Sequence, residues 1–447
     1  MKRYLLIIIA CLVASNSNGQ NIYTMKFLPQ LAQSQWTNAT NETDNKISIG
    51  LPVISATSVY LFNSGFTYHD MFKRVNDSTM AIHPGQFING LKDKNFVAFG
   101  MSTSLLSFNL AMPDYSVGFS INDRADFKFS YPKALFGLLW FGNGKYIGQT
   151  INVGNFGINA SWYREYALHG NFHYKDWTFG VSPKLLFGKA NINTRESYLT
   201  LYTAPDYYEL TANAGLNIQT SGIHDSTEED KMSGSQYFFN NKNVGLAIDL
   251  GAKYKINDHF TVAGGINDIG YINWKTAIYN YTAGPAGVTF SGFNLADYLN
   301  GDVNFVTANK LTDSIKNLIQ FKNNITAYKT SLPYNVYGIV YYETGKHLFG
   351  LQLSAERFNQ AYLYAATASY QIKLNKHFTG DLTYTLRSRS PFNIGGALIC
   401  QLAAMQLYFV TDNWWAPLVP LDSKNVNLQF GMNLVFGKRV KDEKKWY

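Results

Sequence analysis

From Asn243 to Ile256 the chain alternates without a break. Val244, Leu246, Ile248, Leu250, Ala252, Tyr254 and Ile256 occupy one register, and Asn243, Gly245, Ala247, Asp249, Gly251, Lys253 and Lys255 the other. Side chains at that period stand on opposite faces of a strand. A tight Asn257-Asp258 break follows, and His259-Phe260 open a second strand with Phe260, Val262 and Ile266 in one register. Strands of soluble sheets commonly run about five or six residues. A longer strand, oily on one face and polar on the other, suits a barrel with hydrocarbon outside and a polar interior. Because the pattern recurs along the chain, the expected fold is all-β. It is a transmembrane up-and-down antiparallel β-barrel of about sixteen strands, within fourteen to eighteen, with short periplasmic turns and long extracellular loops.

A chain of 447 residues would ordinarily make about two or three domains, yet no linker of biased composition divides this one. After the first residues no apolar run is long enough for a membrane helix, which rules out helical spanning. Aromatic residues make up 16% of the chain, including 31 Tyr and 31 Phe, as barrel girdles require. Residues 1–19 read as a signal peptide: Lys2 and Arg3, an apolar core from Tyr4 to Ala14, then small polar residues to Gly19, with cleavage before Gln20. Ile8-Ile9-Ala10-Cys11 also resembles a lipoprotein box, which would make Cys11 a lipid anchor. Without the signal, Cys400 is the only cysteine, so neither an intrachain disulfide nor a cysteine metal cluster is expected. It falls on the apolar register of Phe392, Ile394, Gly396 and Leu398, as a lipid-facing or packed thiol.

Residues 20–45 are polar and lack alternation, as a flexible lead-in or a plug in the lumen would be. Residues 46–436 are the barrel, with a long insertion at 273–332 where Leu311, Ile315, Leu318 and Ile319 recur at helical spacing. Pro132 to Gly148 is too apolar for a wet loop and is expected inside the barrel or along the membrane interface. Residues 437–447 form a basic periplasmic tail. Short turns at 174–177, 257–260, 344–347 and 375–378 alternate with long connections at 221–242, 273–332 and 412–424, which orients the barrel. The net charge of +8 is scattered except for Lys438, Arg439, Lys441, Lys444 and Lys445. Anionic headgroups account for that excess more simply than nucleic acid, for which no basic stripe or motif exists.

Signatures of hydrolases, zinc proteases, P-loops and dinucleotide folds are absent, so neither an enzyme nor a cofactor is expected. His259, His347 and His377 repeat one slot after short turns, as girdle residues would. His169 and His173 share a strand face but lack a carboxylate or cysteine partner for a metal site. The better lead is the charge on inner registers. Asp249 and Lys253 share one strand, Asp268 approaches from the next, and Glu209, Glu356, Asp381 and Arg387 lie on other polar registers. Such groups either fill the barrel as a paired network or form a polar constriction that selects a solute. In the final strand, Val426, Leu428, Phe430, Met432, Leu434 and Phe436 alternate outward, resembling the C-terminal signal that barrel-assembly machinery recognises. That signal usually ends the chain, whereas here a tail follows.

Several stretches together resemble an uncharacterised family of Bacteroidota outer-membrane barrels known only as a domain of unknown function. They are KISIGLPV (46–53), GFSINDRADFKFSYP (118–132), FGNGKYIGQ with YREYALHG (141–170), GVSPKLLFGKANINT (180–194), NVGLAIDLGAKY and NDIGYINW (243–274), and NIGGALICQLAAMQLYFVTDNWW onward to NLQFGMNLVFG. The resemblance implies proximity to PorP/SprF proteins linked to type IX secretion and gliding, and to FadL-like transporters of hydrophobic compounds. It also implies a barrel with an N-terminal plug, and it transfers no catalytic or ligand residues. The expected function is an integral outer-membrane channel or transporter for small molecules, hydrophobic ones among them. The alternative is a structural or secretion-associated barrel that anchors protein partners. Outer-membrane lipids, lipopolysaccharide and the assembly machinery are the expected partners, with a secretion or surface protein as a further one.

Overall fold

The computed structural model describes residues 22–439, except 75, 77–79, 207, 224–238, 291–321, 359–360, 417 and 420–421. Twenty strand segments form one sheet. Six of them prolong the line of another, which leaves the 14 positions of a closed antiparallel barrel. Strand β1 has two halves, Asn45–Gly50 and Thr57–Asn63. There follow β2 (Lys94–Ala111), β3 (Tyr115–Pro132), β4 (Gly157–Tyr174) and β5 (Trp177–Thr203). Next come β6 (Asn243–Lys255), β7 (Phe260–Trp274), β8 (Tyr334–Thr344) and β9 (His347–Phe358). The last five are β10 (Ala361–Lys373), β11 (Phe378–Arg387), β12 (Ser390–Leu402), β13 (Met405–Thr411) and β14 (Asn425–Lys438). The barrel closes where β14 pairs with both halves of β1.

Alternation sets the two surfaces. On β9, Leu351 and Leu353 are 56% and 65% exposed, while their neighbours Gln352 and Ser354, facing the lumen, are 0% and 8%. The same contrast holds on β14, where Phe430 and Phe436 point outward and Asn427, Gln429 and Asn433 inward. Cys400 lies half-buried on β12. Among the described residues no helix is long and apolar enough to cross a membrane.

One end of the barrel carries only short turns. Two share a device: Asn257 Oδ1 accepts the N–H groups of His259 (2.9 Å) and Phe260 (2.8 Å), and Asn375 Oδ1 those of His377 (2.8 Å) and Phe378 (3.0 Å). An Asx side chain thereby stands in for backbone in the turn. The imidazoles that follow donate through Nδ1 to Glu343 O and Gln401 O on neighbouring strands. Two-residue turns at Lys175-Asp176 and Gly345-Lys346 use the positive φ of Lys175 and Gly345, which matches strand twist.

Sixteen strands is an overcount. The overcount comes in part from Ala190 to Thr194, where alternation is broken without a turn, since β5 runs for 27 residues. What reads as a turn is a register shift opposite Trp162/Tyr163. A bulge inserts one residue and flips the phase of alternation, and in sequence this looks like a strand ending. Segment Leu210–Ser221 likewise continues the line of β6, and both pair with β5. Segment Asn280–Phe290 continues β7, while Lys322–Asn324 and Tyr328–Ser331 continue β8. The barrel wall therefore rises at the loop end into a ribbon of prolonged strands. The charged Asp123-Arg124 pair lies within continuous β3, and the register shift of that hairpin, between Ser104 and Leu106 of β2, falls opposite Ile121 and Asn122. The 132–148 stretch forms a helix, Lys133–Phe141, at the loop-end rim. Phe136 packs on Phe66, Phe87 and Tyr131, while Leu139 and Trp140 stay exposed. The signal peptide with Cys11, the helical spacing at 311–321, and tail residues 440–447 lie outside the described residues.

Candidate functional site in the barrel lumen

Residues 22–44 lie inside the barrel at its turn end. Their sequence has neither period, and they fold as two short 3-10 turns, Thr24–Phe27 and Ala32–Trp36, joined by extended chain. One side of this plug is apolar: Ile22, Met25, Leu28 and Leu31 pack on Ala397, Ile399, Tyr408 and Val410 of β12 and β13. The other side is polar. Tyr341 Oη donates to Lys26 O (3.1 Å), Tyr337 Oη to Asn38 Oδ1 (3.0 Å), Asn267 Nδ2 to Thr37 O (2.6 Å) and Lys253 Nζ to Thr40 O (2.9 Å). The start of the plug is held by Asp412, whose carboxylate accepts the N–H groups of Tyr23 (3.0 Å) and Thr24 (2.9 Å).

Two wall glycines make room for this chain. A Cβ on Gly180 would sit 2.1 Å from Ala39 O, and one on Gly350 would sit 2.4 Å from the Phe27 ring. At the mouth, the Glu42 carboxylate meets Arg439 (3.0 Å) and His173 (2.9 Å). Burial alone would raise the Glu42 pKa, but His173, Lys253 and Arg439 outweigh it and hold the carboxyl at about 2.

On the loop side of the plug, charge crosses the lumen wall from β3 to β7. Lys184 Nζ lies 2.6 Å from Asp268, 2.8 Å from Asp249 and 3.7 Å from Glu165. Arg124 reaches Asp268 (3.2 Å) and Glu165 (3.3 Å). A bulge aims Asp268: Ile248 pairs with Ile269 and Leu250 with Ile266, so Asp249 opposes two residues of β7. Asp268 has φ +62 and its N–H donates to Asp249 Oδ1 (2.7 Å), which turns both Asn267 and Asp268 into the lumen. Beyond this belt, Tyr163, Leu186, Ile272, Trp274, Tyr328 and Leu332 pack together.

The candidate residues thus divide into groups. Asp249 and Asp268 meet at Lys184. Lys253 is not with them but holds the plug. Glu356 lies 4.0 Å from Arg387, which stacks on Phe62 at 4.1 Å. Asp381 accepts a hydrogen bond from Ser369 (2.8 Å). Glu209 stands apart, half-buried beside the prolonged ribbon, where its carbonyl accepts the Ala204 N–H. His169 lies between Ser120 and Ser182, at 2.9 Å from each. Sequence reasoning missed Arg124, Glu165 and Lys184. Each lies on an inward register of a recognised strand, so alternation gave the signal, but only the cross-strand register brings the three together. Among the described residues no three His, Cys, Asp or Glu side chains are grouped to hold a metal ion.

No curated protein matches the chain. Similar solved structures include the toluene transporter TodX of Pseudomonas putida, at 8% identity over 91% of this chain and 95% of that one, with a TM-score of 0.42. A FadL homologue of Pseudomonas aeruginosa is similar at 8% identity over 94% and 99%, with a TM-score of 0.42. The translocator domain of autotransporter NalP from Neisseria meningitidis is similar at 7% identity over 94% and 100%, with a TM-score of 0.34. A model described as a family of unknown function (DUF5723) matches residues 40–412.

Proposed function

We propose that this chain, which belongs to the DUF5723 family of unknown function, is an integral outer-membrane channel for small molecules, gated by its own N-terminal segment. The observation that carries the reading is the plug, seated in a polar lumen inside a barrel with an apolar exterior. In hydrocarbon every backbone polar group must be met within the protein, and a closed barrel meets that demand. The short turns then face the periplasm and the long connections face outward. The signal peptide is removed, lipid and lipopolysaccharide cover the oily band, and the assembly machinery reads the β14 register.

The two sides of the plug suggest how it opens. Leaving the wall on the β12–β13 side would expose four aliphatic side chains, at about 1.5–3 kcal/mol each. The polar side exchanges hydrogen bonds for bonds to water, with a net change of about 0.5–1.5 kcal/mol apiece. Gating therefore swings the polar side away from β7 and β8 while the apolar side stays anchored. The Asn, Gln, Ser and Thr side chains of the lumen favour polar solutes over hydrophobic ones.

The test is current across planar bilayers. Full-length protein should stay mainly closed, and protein lacking residues 20–44 should conduct steadily. A deleted barrel that folds in the bilayer and carries no current overturns the channel.

A further inference from the structure

On the loop side of the charged belt the lumen holds a cavity of about 40 Å³. At about 10–15 Å³ for each water-sized group, that is room for about three. Its polar side comes from three neighbouring strands: Asp126 of β3, Asn159 and Ser161 of β4, and Asn193 of β5. Asp126 is the register partner of Ser161, and Asn159 that of Asn193. The register shift opposite Trp162 and Tyr163 changes the phase of β5, which brings Asn193 to the same face as Lys184. Ile272 of β7, with Leu332 and Pro333 where the chain enters β8, adds an apolar side. Asp126, Asn159, Ser161 and Asn193 all keep some accessible surface, so the cavity communicates with solvent.

The lining groups differ in how far they are already engaged. Asn191 is spent, since its Nδ2 donates to Ala160 O (2.7 Å) and its Oδ1 accepts from Tyr328 Oη (2.8 Å). Asn193 donates through Nδ2 to Gln219 Oε1 (3.0 Å), which fixes the amide and keeps Oδ1 as an acceptor. Asp126 receives one long contact, from Tyr60 Oη at 3.4 Å. The cations two residues to either side of it on β3 are turned elsewhere. Arg124 bridges to Asp268 and Glu165, and Lys128 Nζ lies over the Phe96 ring at 4.5 Å. Among the described residues no Lys, Arg or His nitrogen lies within 4.0 Å of the Asp126 carboxylate. A carboxylate inside a barrel without a paired cation is costly, and it gives the cavity a sign.

We infer that this cavity binds a small primary alkylammonium ion. The ammonium group carries three N–H donors. Asp126 accepts one in a charge-assisted hydrogen bond, and Asn193 Oδ1 and the Ser161 hydroxyl accept the others. The alkyl part lies against Ile272 and Leu332, and a ligand of three heavy atoms matches the volume. A bare alkali ion would leave the apolar side unused, and a neutral alcohol would leave Asp126 uncompensated. The inference rests on the channel reading and names a solute held on the loop side of the belt.

The experiment is saturation-transfer NMR on the full-length protein in detergent micelles, with ethylammonium and with ethanol, its neutral counterpart of equal size. Potassium is added as a competitor. Ethylammonium should bind saturably, with a dissociation constant of about a millimolar or weaker, the ceiling for three heavy atoms. Ethanol and potassium should each bind at least about tenfold more weakly. Asp126→Asn keeps the shape of the side chain and should weaken ethylammonium by about tenfold or more, as should Asn193→Leu. Asp381→Asn removes a lumen carboxylate outside the cavity and should leave the affinity unchanged. The site is overturned if ethylammonium does not bind, if ethanol or potassium binds as well, or if Asp126→Asn binds it as the wild type does. A plug-deleted barrel that conducts while the full chain ignores ethylammonium removes this site and leaves the channel standing. Ethylammonium binding to a chain whose plug-deleted form never conducts supports the site and removes the channel.

Discussion

At Lys184 one ammonium faces three carboxylates, and its side chain has no exposure to share the charge with solvent. Removing one partner from a buried ionic network costs about 3–5 kcal/mol, because the remaining charges stay buried and uncompensated. Lys184→Met should therefore destabilise the barrel by about that amount in urea unfolding followed by heat-modifiable gel mobility. Adding Asp249→Asn should restore part of the loss, and a single variant as stable as the wild type would refute the network's role. Glu42 offers a pH test. Its carboxyl is held at about 2 against the usual 4.5, so its contribution to seating the plug is fully present above pH 4.5 and is lost as the pH falls through 2. Channel current should rise as the pH is lowered across that window, and Glu42→Gln should show the raised current already at neutral pH. Current that is independent of pH in both proteins would sink the idea.

The elements differ in how much of themselves they wrote into the sequence. Strands β9 to β14 show their limits in the sequence, because each alternates from one turn signal to the next. Strand β5 does not, since its register shift mimics a break. The plug was legible only as an absence of period: Thr24, Gln33, Asn38 and Thr40 have partners hundreds of residues away or two residues on, and neither spacing leaves a repeat. The belt was half legible. Asp249 and Asp268 are neighbours across one hairpin, but Lys184 reaches them from the preceding strand, in a register no spacing encodes. The plug's fit to the wall predicts a further effect. Gly350→Val must displace the Phe27 ring and should raise current toward that of the plug-deleted barrel. Gly380→Val, at a position with nothing near its Cβ, should leave current unchanged. Equal currents in the two variants would mean that Phe27 does not hold the plug.

At the scale of the whole molecule, the outward register must lie in hydrocarbon if the barrel spans a bilayer. Leu353 sits midway along β9 on the exposed face. Leu353→Arg should cost about 2–4 kcal/mol in folding into vesicles, the range for a basic residue at mid-bilayer. Ser354→Ala, one residue on but facing inward, should stay within about 0.5 kcal/mol of the wild type. Similar costs at both positions would place Leu353 outside the membrane.

The joint between β14 and β1 carries one more consequence, and it concerns time. Asn45 pairs with Lys438 and Ile47 with Phe436, so the ring is sealed by the two extremes of its own wall. Until the last strand has been delivered, the first offers an open row of amides and carbonyls to any neighbouring chain. The plug precedes β1 in the chain, so whether it is already folded inward at sealing decides if a newborn barrel starts life shut or leaking.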